Sequence, residues 1–190
     1  MRLREKLIEI FYKAATGSRR VRTLLTPVGL IFFFIFITLF VVVSLELDYF
    51  LGFPGLLPTP LNVIVSAPIL AVGFLLVSWS VLHFLKVKGT PVPFNPPHKL
   101  VTTGPYVYIR NPMLTGLFIL LFGFGFLFRS VSLVFIFTPL FILLNILELK
   151  MIEEPELERR FGKEYLEYKK RVPMFIPKVK IKIRKMEMQD

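Results

Sequence analysis

Four nearly charge-free stretches limit what this chain can fold into: residues 24–45, 61–85, 113–128 and 131–147. A run of about 18 or more apolar residues is long enough to cross a bilayer as a helix. In lipid the backbone must satisfy its own hydrogen bonds, which favours helices. The first two runs meet the length outright; the third is short and the fourth marginal. Only Arg129 and Ser130 separate the last two, so they predict a tight helical hairpin that spans, or nearly spans, the membrane. The expected fold is an all-α, polytopic membrane bundle of about four spans with a C-terminal amphipathic helix. A composition that is 54% hydrophobic over 190 residues agrees with this.

Charge predicts orientation. The first 23 residues carry seven Lys or Arg, residues 46–60 carry none, residues 86–112 carry four, and the segment from Lys150 carries twelve. By the positive-inside rule both termini and residues 86–112 face the cytoplasm, with Arg129 alone on the other side, where it can snorkel. In a prokaryotic cell this places the chain in the plasma membrane. The net charge of +11 flanks the spans, so topology and anionic lipid account for it and nucleic acid is not an expected partner. The first apolar run has no cleavage site after it, since Glu46 and Asp48 follow, and is read as a retained anchor. There is no cysteine, which excludes disulfides, thiolate metal sites and Cys nucleophiles.

Outside the spans, Leu3, Leu7, Ile10/Phe11 and Ala14 recur at helical spacing and predict a short interfacial helix, with a disordered basic leader as the alternative. Residues 46–60 read as an outward turn. Residues 89–97, with four prolines, read as a stiff extended cytoplasmic segment or a plain linker. Asn111-Pro112 reads as a helix start with Asn as the cap. Gly116, one turn on, leaves room for a close approach to the backbone. Pro155 should kink or restart the fourth helix. Leu157, Phe161, Tyr165, Tyr168 and Val172 then form one face of an amphipathic helix, lying on the membrane or folded back over the bundle and ended by Val172-Pro173. Residues 178–185 alternate basic and apolar and suggest a membrane-hugging tail.

The polar residues gather at one end. His83 and His98 are the only histidines, too few for a metal centre, and His83 reads as an interfacial residue. Arg110 and the helix start behind it can hold a carboxylate. Glu153 and Glu154 can take an ammonium or a pair of ribose hydroxyls. Tyr106 and Tyr108 can stack on a ring or cap a cation. Singly, each has a plainer reading: Arg110 as a topological anchor, the glutamates as dipole complements of a helix start. Together they suit a zwitterion with an aromatic ring and a positive centre.

Leu100-Val-Thr-Thr-Gly-Pro-Tyr-Val-Tyr-Ile-Arg-Asn-Pro-Met, the Glu153-Glu154 pair, and Phe161-Gly-Lys-Glu-Tyr-Leu-Glu-Tyr-Lys-Lys-Arg-Val-Pro closely resemble the isoprenylcysteine carboxyl methyltransferases and the related membrane phospholipid methyltransferases. The resemblance covers roughly residues 86–178. It implies a membrane enzyme that binds S-adenosylmethionine from the cytoplasmic side and passes its methyl group to a lipophilic small molecule or lipid. It also implies one domain over 1–190: a leader and first span in 1–60 and a cofactor-binding core in 86–178. His98, Leu100, Val101, Tyr106, Arg110, Asn111, Pro112, Met113, Leu114 and Glu153 are the implied cofactor-binding residues. Arg110, Glu153 and Glu154 are the implied catalytic set. Asn111 and Leu114 stand where the family motif has His and Tyr. Leu149 stands where the eukaryotic enzymes bind substrate with Arg, which leaves a carboxylate, thiol or amine acceptor open. The competing readings are a nicotinamide-dependent reductase on the related sterol reductase core and a non-catalytic scaffold or lipid-binding protein.

Overall fold

The computed structural model describes residues 3–16, 19–86 and 99–177, and among these regular structure is entirely helical. In chain order the α-helices are α1 (Leu3–Thr16), α2 (Arg19–Leu51), α3 (Leu61–Lys86), α4 (Pro112–Leu127), α5 (Thr138–Glu148), α6 (Glu154–Phe161) and α7 (Lys163–Arg171). Three helical stretches are long and apolar enough to cross a membrane: Pro27–Leu51, Leu61–Lys86 and Leu133–Phe161. The apolar α4 is shorter, at 16 residues. Phe32, Phe34, Phe74 and Leu75 stay two-thirds or more exposed on α2 and α3, which suits a lipid solvent and not water. The proline-rich residues 89–97, His98 and the basic segment 178–185 lie outside the described residues.

The long α3–α4 contact rests on missing side chains. A Cβ on Gly116 would lie 2.7 Å from Val77 Cγ2 and 3.0 Å from the Gly73 carbonyl oxygen. A Cβ on Gly73 would lie 2.9 Å from the Gly116 oxygen. Small residues let helix backbones approach where lipid offers no hydrophobic drive. What comes close to Gly116 is therefore the neighbouring helix. On the other side of α4, Phe118, Leu121 and Phe141 form a buried cluster, and Phe36, Phe40 and Phe175 pack against it.

The turn after α4 departs from glycine usage. Arg129 takes φ 60°, its N–H meets the Phe126 oxygen at 3.1 Å, and the Ser130 N–H meets the Gly125 oxygen at 2.8 Å. This is the pairing of a Schellman end, a position that usually falls to glycine. Two contacts hold it: the Arg129 carbonyl accepts from Leu56 N–H at 3.0 Å, and the Arg129 side chain lies over Gly55. Ser130 Oγ then accepts from Leu133 N–H at 3.0 Å, capping the next helix. Asp48 adds a carboxylate there, accepting from Ser132 N–H at 2.8 Å and from the Ser130 hydroxyl. Residues 46–51, expected in the loop, are accordingly helical and extend α2 to Leu51.

Two further expectations change. The helix does not break at Pro155. A π turn, Leu149–Glu153, ends two residues before it, and a second, Leu133–Phe137, ends two residues before Pro139. A proline has no N–H to give and its ring clashes with the carbonyl four residues back. A wider turn absorbs both problems, and helix continues on either side of the proline. The amphipathic stretch after Pro155 is two helices, not one. Gly162, at φ 57° and ψ −128°, separates α6 from α7 in a conformation open mainly to glycine. The break lets α7 fold back over the bundle, burying Tyr165, Tyr168 and Val172 against Leu100, Leu157 and Phe161.

Gly116→Val should cost about 1–3 kcal/mol, the range for overfilling a packed interface. Denaturant titration in detergent micelles reads this directly, and an unchanged midpoint would contradict the close α3–α4 approach.

Candidate functional site

The two polar blocks meet where α4 begins. After Val172 the chain leaves the helix in a series of bends, and its carbonyls hold the segment before α4. Arg110 N–H donates to the Pro173 oxygen at 2.8 Å, and Asn111 N–H donates to the Met174 oxygen at 3.1 Å. Phe175 then packs on Phe118 with ring centres 5.3 Å apart. Upstream, Gly104–Val107 forms a single 3-10 turn that buries Pro105 and Tyr106. Asn111 holds the cap position of α4, but its side chain makes no capping hydrogen bond. Its carbonyl instead accepts from both the backbone N–H and the hydroxyl of Thr115, at 3.0 and 2.9 Å.

Glu154 is the electrostatic centre. Its Oε1 lies 2.7 Å from Arg110 Nη1 and its Oε2 lies 2.7 Å from Lys169 Nζ. The Arg110 and Glu154 side chains are 11% and 8% exposed. Lys169 also reaches Glu158 Oε1 at 2.8 Å, and Arg110 Nη1 donates to the Tyr165 hydroxyl at 3.3 Å. One carboxylate thus joins the start of α4, α6 and α7. Its hydrogen bonds to Glu154 and Glu158 raise the pKa of Lys169 above its ordinary value, so the ammonium stays charged.

Glu153, the neighbouring residue, is placed differently. It closes the π turn and makes no ion pair among the described residues. Burial raises the phenols of Tyr106, Tyr165 and Tyr168 well above the usual tyrosine range, so all three stay neutral and can donate. Tyr168 donates to the Tyr106 carbonyl at 2.7 Å. Tyr106 Oη and Arg110 Nε are buried with no hydrogen-bond partner among the described residues. Such orphans are rare and mark places where something polar belongs.

The remaining candidates divide. Leu100 packs against the α7 cluster, and Val101 is buried. Pro112 is fully buried and Met113 half-buried. Leu114 packs on the Phe118–Leu121–Phe141 cluster. Tyr108 is 59% exposed, away from the buried group. His83 lies against Gly104 and its Nδ1 is 3.1 Å from the Trp79 oxygen, so it braces the 3-10 turn. Sequence reasoning missed Lys169 and Tyr165 as members of the network. Their spacing of four on α7, inside the quoted motif, was the available signal, but Lys169 reads as one of many surface lysines.

A double-mutant cycle tests the centre. Arg110→Met or Glu154→Gln alone should cost about 3–5 kcal/mol of stability, the usual result of leaving one buried charge unpaired. The double variant should cost less than the sum of the two. Additive losses in a denaturant titration would contradict the pairing.

A model of the phospholipid methyltransferase family matches residues 61–164, from the start of α3 into α7. The nickel-cobalt-cadmium resistance protein NccN of Alcaligenes xylosoxydans xylosoxydans is 31% identical over 124 residues, which are 62% of this chain and 54% of that protein. The chain therefore spans about half the length of that relative. The family match takes in the close α3–α4 contact, the Arg110–Glu154 pair and Glu153, over more than half the chain, and on that ground the chain belongs to the phospholipid methyltransferase family.

Proposed function

We propose that this single-domain protein crosses the membrane four times, with both termini and the polar site on the cytoplasmic face, and transfers the methyl group of S-adenosylmethionine to a lipophilic acceptor. Family membership supports a membrane methyltransferase. The observation that carries the cofactor assignment is a pair of unused polar groups: Glu153, which makes no ion pair among the described residues, and the buried Tyr106 hydroxyl, which has no hydrogen-bond partner there. The polar groups fit a zwitterion bearing hydroxyls. Glu153 accepts from ribose hydroxyls or an ammonium, Tyr106 Oη donates, and Arg110 Nε offers a further donor. Leu100, Val101 and Met113 supply apolar wall beside them. Arg110 and Glu154 belong to the site as its frame, because each already holds the other.

When bound, S-adenosylmethionine supplies a methyl group already activated by a sulfonium. The chain therefore needs to align two reactants and exclude water. A carboxylate or thiolate acceptor needs no base. An amine does, and Glu153 is the carboxylate free to serve, since both oxygens of Glu154 are held by cations. The acceptor enters sideways from the lipid between α3, α4 and α5.

Calorimetric titration of the purified protein in detergent with S-adenosylmethionine tests this. Wild-type protein should bind it and not a nicotinamide cofactor. Glu153→Gln should weaken binding by about 1–2 kcal/mol, as for loss of a charged hydrogen bond, with little change in melting temperature. Equal affinity in Glu153→Gln and wild type would remove Glu153 from the site.

A further inference from the structure

The family match begins at residue 61, yet the N-terminal helix sits on the site. Helix α1 packs on the π turn that ends in Glu153 and on α6 beyond it. Its anchor is specific. The Arg159 guanidinium carbon lies 4.3 Å from the centre of the Tyr12 ring, a cation–π contact. Arg160, the next residue, is held within α6: its Nε lies 3.2 Å from Glu156 Oε1. Glu9, one turn before Tyr12 on α1, pairs with Lys13 at 2.8 Å and also faces Arg159. The ring contact thus pins α1 to the helix that follows the π turn closed by Glu153, while α1 itself lies against that turn. A surface helix held only by lipid has no need of this contact, since Ile10, at 58% exposure, and the basic residues around it suffice for a membrane surface.

We propose that α1 is a wall of the cofactor site and that Tyr12 is a positioning residue, clamping Arg159 and so holding α1 against the π turn that ends in Glu153. The inference rests on Glu153 as the cofactor-holding carboxylate. Tyr12 touches no reactant; it holds in place the turn that carries a group that does. A cation–π contact depends on the ring and not on the hydroxyl, so phenylalanine should serve nearly as well.

The test uses full-length protein in detergent, titrated with S-adenosylmethionine. Tyr12→Ala should raise Kd about threefold to tenfold, in keeping with loss of one cation–π contact and a looser α1. Tyr12→Phe should stay within about twofold of wild type, because the ring is kept. Arg159→Gln should weaken binding to the same degree as Tyr12→Ala, and the double variant should be no worse than either, because both break one contact. Melting temperature is followed in parallel: a fall in stability with unchanged Kd would show a purely structural role and overturn the inference. So would unchanged Kd in Tyr12→Ala, or a loss in Tyr12→Phe as large as in Tyr12→Ala. If wild-type protein binds and only these variants fail to respond, the Glu153 reading stands and this inference falls. If wild-type protein binds no cofactor, both fall.

Discussion

The structure depends on one carboxylate. Glu154 takes a cation on each oxygen, Arg110 from the start of α4 and Lys169 from α7. Removing either partner leaves a buried charge, which is why such pairs resist change even when their net contribution is small. Glu154 is occupied in this way, while Glu153 makes no ion pair among the described residues. Adjacent residues on a helix point about 100° apart, so the two members of the Glu-Glu pair meet different surroundings. The segment after Val172 adds the backbone half of the same joint through Pro173 and Met174.

Two devices put that joint in place. Glycines at 73 and 116 let α3 and α4 meet backbone to backbone, which fixes where Arg110 emerges. The π turn before Pro155 keeps the last long helix continuous and turns its acidic residues toward α4 and α7. A broken helix at the same proline would have left Glu153 and Glu154 on a loop, free to find water. π turns of this kind occur often at functional sites, where the widened turn re-aims side chains. Gly162 then reverses the chain so that Tyr165, Tyr168 and Lys169 return over the acidic end.

Much of this was legible in the sequence. The apolar blocks gave α3 and α4 nearly to their ends and the central parts of the other two long helices, since length and lack of charge leave little alternative. The helix start at Asn111-Pro112 and the burial of Tyr165 and Tyr168 followed from local chemistry and periodicity. Other parts were not legible for physical reasons. Pro155 signals trouble for an α-helix, but sequence alone does not say whether the helix kinks or widens. Arg129 in a left-handed turn depends on Gly55 and Leu56, which are distant in sequence. Asn111 looked like a side-chain cap, yet its side chain caps nothing; its backbone is what is held, its N–H by the Met174 carbonyl and its carbonyl by Thr115. The partition between Glu153 and Glu154 required knowing where Lys169 falls, which a helix pair broken at Gly162 decides.

Methyl transfer onto a membrane-borne molecule is open to one decisive measurement: reconstitute the protein in vesicles of native lipid, supply S-adenosylmethionine labelled in its methyl group, and extract with organic solvent. Label should appear in the lipid phase with wild-type protein and be markedly lost with Glu153→Gln. Wild-type protein that binds the cofactor yet leaves no label in that phase would contradict a lipophilic acceptor.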